Sequence, residues 1–199
     1  MACEQCSGAT GLACEGCGAM LPARAIDRFA ALGLPRRFAV DAAEFETKFR
    51  ELSKRLHPDR FVRAAPADRA RAAQATATLN EAYRTLRDES ARAEYLVTLE
   101  TGSLDGNQPV AAEFLHEILE LREELDEAAA AGDHARVAAL GQAMTVRRDA
   151  SLGVLRAQLA VWDGARDPAA LAEARGELVA MRYYRRYLEA CAGYEEGAA

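Results

Sequence analysis

Beyond residue 20 this chain carries almost no strand signal. No run rich in Val, Ile, Thr and aromatics alternates with period two. Ala, Leu, Glu and Arg dominate instead. Breakers cut them into helix-length pieces: Gly33-Leu34-Pro35, His57-Pro58-Asp59, Ala65-Pro66, the stretch from Gly102 to Pro109, Gly132-Asp133, and Gly164 to Pro168. The body is therefore expected to be all-α. Half of the 199 residues are apolar, enough for a core. No apolar run approaches the roughly 20 residues of a membrane span. Three parts follow: a cysteine-rich knob at 1–20, a short helix and two longer ones at 24–98, and three long helices at 110–193. The best linker is 99–109, and the tail from Glu195 is expected to fray.

Four of the five cysteines fall in the first 17 residues, as Cys3-x-x-Cys6 and Cys14-x-x-Cys17. Each pair can aim two sulfurs at one ion, and two pairs complete a tetrahedron. That suits a structural zinc knuckle, with sulfur about 2.3 Å from the metal. Four thiolates also suit iron or an iron–sulfur cluster, and spacing alone does not separate these. Few apolar side chains lie here, so the knob needs its metal to fold. With four sulfurs filling the shell, no position is open for catalysis. A disulfide framework would spread through the chain and accompany export. The N-terminus also lacks the basic and apolar regions of a signal peptide. The cytoplasm is the expected compartment. The remaining thiol, Cys191, has no assigned role.

The sharpest local pattern is a helix running into a His-Pro-Asp turn. Asp41 is a plausible N-cap with Glu44 three residues on. Phe45, Phe49, Leu52 and Leu56 then share one face, with Lys48, Arg50, Lys54 and Arg55 off it. Pro58 disfavours helix at His57 and stops the run. A second helix, about Asp68 to Glu89, repeats the apolar spacing with Ala75, Leu79, Ala82 or Tyr83, and Leu86. The expected picture is an antiparallel hairpin with His57, Pro58 and Asp59 at its tip. A lone histidine in a turn is usually without function, and any one of the four cations could be an ordinary solvated charge.

In the third part, Phe114, Ile118, Leu121 and Leu125 cluster within about 60° of arc at 100° per residue. That is a core stripe. Leu115 and Leu119 lie roughly 100–140° away, with His116 and Glu123 further round. Either a neighbouring helix covers these leucines or they form a docking patch. The next helix, about His134 to Trp162, is apolar at Val137, Leu140, Met144, Leu155, Leu159 and Trp162, with Arg148 interrupting the stripe. The last has Asp167 as N-cap and Pro168 at its first position. It carries Leu171, Leu178, Met181 and Leu188. Tyr183, Tyr184 and Tyr187 read as core and rim.

Leu56-His57-Pro58-Asp59-Arg60-Phe61 after a basic helix, then Leu79-Asn80-Glu81-Ala82-Tyr83-Arg84-Thr85-Leu86, resembles a J-domain. Arg28-Phe29-Ala30-Ala31-Leu32-Gly33-Leu34-Pro35 with Phe38, Arg92-Ala93-Glu94-Tyr95-Leu96, and Phe114 through Asp126 narrow the resemblance to the HscB family of iron–sulfur co-chaperones, over roughly 24–190. The cysteine knob resembles the extension of eukaryotic members and is absent from many bacterial ones. The resemblance implies an N-terminal zinc knuckle, a J-domain hairpin and a C-terminal three-helix bundle. It implies that His57, Pro58 and Asp59, with Lys48, Arg50, Lys54 and Arg55, dock on a DnaK/HscA-type chaperone and stimulate its ATPase. It also implies that Leu115, His116, Leu119, Glu120, Glu123 and Tyr183 bind the scaffold protein IscU. His116 stands where the best-known bacterial pattern has an apolar residue, and Tyr183 where it has Phe, so the patch is more polar here.

Other function classes fare less well. Among His57, His116 and His134 there is no nucleophile–base grouping, and no glycine-rich phosphate loop is present. The Cys-x-x-Cys pairs lack the βαβ context of a redox enzyme. The chain is not expected to be an enzyme. With 25 Lys and Arg against 31 Asp and Glu, the net charge is −6. That balance counts against nucleic acid, whose phosphates need a basic surface. The alternative to a co-chaperone adaptor is a metal-dependent nucleic-acid-binding or metal-sensing protein that uses the cysteine knob.

Overall fold

The computed structural model describes residues 11–14, 16, 26–104 and 110–196. Cys3, Cys6 and Cys17 of the knob, 105–109 of the expected linker and 197–199 of the tail lie outside the described residues. Within them the chain is all-α: α1 (Arg28–Ala31), α2 (Ala42–Leu56), α3 (Pro66–Arg87), α4 (Glu89–Thr101), α5 (Ala112–Ala130), α6 (His134–Ala165) and α7 (Pro168–Glu196). A 3₁₀ turn at Pro58–Phe61 joins α2 to α3. The chain divides into two compact units, one ending at Leu96 and the other beginning at Val97.

In the N-terminal unit, α2 and α3 form the expected hairpin. The Asp41 carboxylate accepts from the Glu44 backbone N–H at 2.8 Å and starts α2. Phe45 and Leu56 of α2 are buried, as are Ala72, Ala75, Leu79, Ala82 and Leu86 of α3. Small alanines let the two helices approach closely. The Tyr83 ring stacks on Phe49 at 3.8 Å and on Phe45 at 5.2 Å between centroids. Its hydroxyl donates to Glu46 at 2.7 Å. So Phe49 and Leu52 are only half-buried, and the edge of the stripe is closed by an aromatic with a wet tip. Asp27 caps α1, and Phe29 is fully buried against the Tyr95 ring.

The helix expected from Asp68 to Glu89 is corrected at both ends. It begins at Pro66, which is pre-set for a first helical position and loses nothing by lacking an N–H there. It ends at Arg87, because Asp88 is extended and caps a separate helix, its carboxylate accepting from the Ala91 N–H at 2.7 Å. The sequence reading gave this region two long helices and missed α4. The linker is corrected too. Leu99 to Thr101 belong to α4, which stops at Gly102 with φ +88°, and Leu104 is buried. Arg175 donates to the Gly102 and Ser103 carbonyls, and Arg182 to that of Leu104.

In the C-terminal unit, α5, α6 and α7 pack around Leu125, Ala128, Val137, Leu140, Met144, Tyr187 and Cys191. Ile118 and Leu121 of the expected stripe close its edge. Asp133 and Asp167 cap α6 and α7. Cys191 fills space left by Gly141, whose added Cβ would lie 3.6 Å from the sulfur. Arg148 turns to its neighbour Asp149 rather than into the core. No described helix is long and apolar enough to cross a membrane.

Tyr187 is 3% exposed, and its hydroxyl donates to the Leu121 carbonyl at 3.1 Å. Burial pushes the phenol up to about 12. The folded state therefore holds this proton where the unfolded chain, near 10, releases it. The stabilisation is intact below pH about 10 and is lost as pH rises toward 12. Tyr187→Phe should flatten that alkaline fall in melting temperature, and it should cost about 1 kcal/mol at neutral pH by removing the hydroxyl's hydrogen bond to a helical carbonyl. Thermal unfolding across pH 8–12 (the range around both values) checks both effects.

Candidate functional site

The His-Pro-Asp turn is held from both sides. Pro58 keeps His57 extended at φ −57°, ψ 129°, so α2 cannot continue. Its last carbonyls then need partners. The Thr76 hydroxyl on α3 donates to the Leu56 carbonyl at 3.0 Å, clamping the end of α2 to the facing helix. Within the turn, the Asp59 N–H donates to His57 Nδ1 at 3.3 Å, and the Arg60 N–H to the His57 carbonyl at 3.0 Å. His57, Pro58 and Asp59 are all exposed. A rigid turn thus presents an imidazole and a carboxylate to the outside, with Nδ1 and Oδ2 3.5 Å apart. Thr76 was absent from the sequence reading. A polar residue on the apolar side of a helix was the only hint of it.

The four cations of α2 divide into two pairs. Arg50 and Lys54 are exposed. Lys48 Nζ donates to the Gly33 carbonyl at 2.6 Å and pairs with Glu44 at 3.2 Å. Arg55 Nη2 donates to the Cys14 carbonyl at 3.0 Å. Arg55 is therefore a structural contact to the cysteine segment as well as a charge on the basic helix.

That segment seats against the same corner of the unit. Leu12 and Cys14 are fully buried and Ala13 is 3% exposed. Gly11 has φ +76°, and a Cβ there would stand 2.8 Å from the Ala30 carbonyl oxygen. Only glycine fits, on both counts. Of the four expected metal ligands, Cys14 alone is described, and it sits in this docked stretch.

On α5, Leu119 is 61% exposed, so no neighbouring helix covers it, while Leu115 is half-buried. His116, Glu120 and Glu123 are exposed beside them, with His116 Nε2 3.2 Å from Glu120. Tyr183 of α7 is half-buried, its ring edge-on to Phe114 at 5.6 Å. Phe114 thus backs the face that carries Leu115 and props Tyr183 at its border. The chemistry offered is an aliphatic surface within an acidic rim, suited to a protein partner with an apolar, basic contact.

An exposed His-Pro-Asp turn on a clamped helical hairpin, followed by a separate three-helix unit, defines a J-domain co-chaperone. Residues 27–95 match the model of the DnaJ domain, and 110–192 that of the HSCB C-terminal oligomerisation domain. Chaperone HscB from Vibrio cholerae is 32% identical, covers 87% of this chain and 100% of its own, and superposes with a TM-score of 0.62. The human co-chaperone protein HscB shares the fold, at 23% identity and TM-score 0.67 over 98% of each chain. The chain belongs to the HscB family.

Arg55→Ala should loosen the cysteine segment without unfolding the hairpin. Amide exchange at Leu12 and Ala13 should accelerate by about tenfold, the effect of losing one charge-assisted bond. Arg50→Ala should leave exchange there unchanged.

Proposed function

We propose that this protein couples two partners in iron–sulfur cluster biogenesis. The J-domain turn, with Arg50 and Lys54 beside it, engages an acidic surface of a DnaK/HscA-type chaperone and stimulates its ATP hydrolysis. The α5 face of Leu115, His116, Leu119, Glu120 and Glu123, bordered by Tyr183, delivers an IscU-type scaffold protein. The observation that carries this reading is the joint exposure of both surfaces: a held His57-Pro58-Asp59 turn in one unit and an uncovered Leu119 among acids in the other. The protein performs no bond chemistry of its own. Its contribution is to raise the local concentration of client at chaperone. The description of the model over 110–192 supports a second property of the C-terminal unit, association with another copy of itself.

Single-turnover ATP hydrolysis tests the adaptor role. This protein and the scaffold should stimulate the chaperone more together than the sum of each alone. His57→Gln should return the rate to the chaperone's own. Leu119→Asp should leave stimulation by this protein alone intact and weaken scaffold binding by about tenfold or more. Stimulation that ignores the scaffold would assign a different client. No stimulation would refute the chaperone partnership.

We also propose that Cys3, Cys6, Cys14 and Cys17 hold one structural metal ion, zinc on the chemistry of the donor set. The burial of Cys14 and the fixed position of its carbonyl support this, since a preset ligand lowers the ordering cost of the site. Metal analysis should find about one ion per chain. Cys14→Ser should lose it and release a segment that proteases cut. Iron in the purified protein would redirect the site toward cluster sensing.

A further inference from the structure

The long helix α6 buries one side and leaves the opposite side bare. Val146, Ala150, Gly153, Val154, Ala157 and Val161 all lie within about 100° of arc, and every one is exposed. Val146 is 64% exposed, Val161 45% and Val154 38%. No charge interrupts this arc. A helix that is apolar on both sides ordinarily has a partner on both sides.

The pattern itself says which partner. The positions of its small apolar residues are symmetric about a point between Gly153 and Val154. Val146 mirrors Val161, Ala150 mirrors Ala157, and Gly153 mirrors Val154. That spacing suits an isologous contact, in which a surface meets its own copy across a two-fold axis and each residue pair occurs twice. Two α6 helices laid antiparallel would put Val146 on Val161 of the second copy. Ala150 would meet Ala157, and each Val154 would enter the notch at Gly153. Nothing lies within 4 Å of a Cβ built at Gly153, so the notch is open. Small side chains through the centre allow the helix axes to approach to about 8 Å.

The flanking charges agree with the same register. Arg156 lies on one flank of the arc, and Asp149 lies on the same flank. In the antiparallel arrangement Arg156 comes within about 3 Å, along the axis, of Asp149 in the second copy. Symmetry makes this pair twice. On the other flank Arg147 meets Gln158, and no like charges oppose. The contact runs about 25 Å along the helix and is modest in area.

We infer that this outward face of α6 is where two copies of the chain associate, antiparallel and centred between Gly153 and Val154. The inference rests on the proposed self-association of the C-terminal unit and goes beyond it by naming the face and the register. The face is separate from the α5 patch, so a dimer could still carry scaffold.

Analytical ultracentrifugation with site-specific crosslinking tests it. The full-length wild-type protein should show a concentration-dependent monomer–dimer equilibrium. Ala157→Glu should raise the dissociation constant about tenfold or more, with unchanged helical circular dichroism. Gly153→Cys should give a reducible covalent dimer under mild oxidation beyond the wild-type background, because each copy places this residue at the axis. Ala139→Cys, exposed on the same helix but far from the axis, should not. A wild-type dimer that survives Ala157→Glu and crosslinks no better through Gly153→Cys would overturn the face and register while leaving self-association standing. A wild-type protein that stays monomeric at every concentration would overturn both.

Discussion

The bond between His57 and Pro58 is the constraint on which the N-terminal unit depends. Proline forbids its predecessor a helical conformation, so α2 stops with carbonyls facing no partner. One of them, that of Leu56, is met from outside by the Thr76 hydroxyl, which ties the end of α2 to the middle of α3. The turn then closes on its own atoms through the His57 ring and carbonyl. A residue that breaks a helix has in this way fixed where a neighbouring helix must lie. The exposed imidazole and carboxylate inherit their positions from that closure.

Charge follows a similar division of labour. The whole chain is acidic, yet its second helix carries four cations. Two of these hold backbone carbonyls inside the unit and two face water. Arg50 and Lys54 leave a basic surface on an acidic protein, and Glu120 and Glu123 leave an acidic rim on α5. The two exposed surfaces therefore have opposite sign.

Much of this was legible in the residues. Helix type and most boundaries follow from apolar spacing and from two aspartates that cap as expected, Asp41 and Asp167, while Asp133, expected only as part of a turn, caps α6 as well. The His57-Pro58-Asp59 turn was visible because proline acts locally. What stayed hidden acts across the fold. Asp88 looked like one more surface acid inside a helical run, and only its extended backbone reveals a cap and a fourth helix. Thr76 and Arg55 gave no periodic signal, since their partners are carbonyls 20 and 41 residues away. The exposure of Leu119 was one of two open readings, because a helical wheel says which residues share a face but not whether a neighbour covers it. The bare side of α6 was overlooked for a related reason. Its valines, Val146, Val154 and Val161, lie off the buried stripe among alanines and glycine, and spacing alone does not say that no neighbour covers them.

Gly11 has a consequence of a different kind. Its backbone lies where no side chain can follow, against the carbonyl of Ala30, and in a conformation that side chains avoid. The position offers no side-chain ligand atom. Yet it is intolerant of any added side chain. Substitution tolerance at this position therefore tracks bare space and not side-chain chemistry. A residue with nothing to contribute but its absence of bulk becomes a fixed point of the sequence.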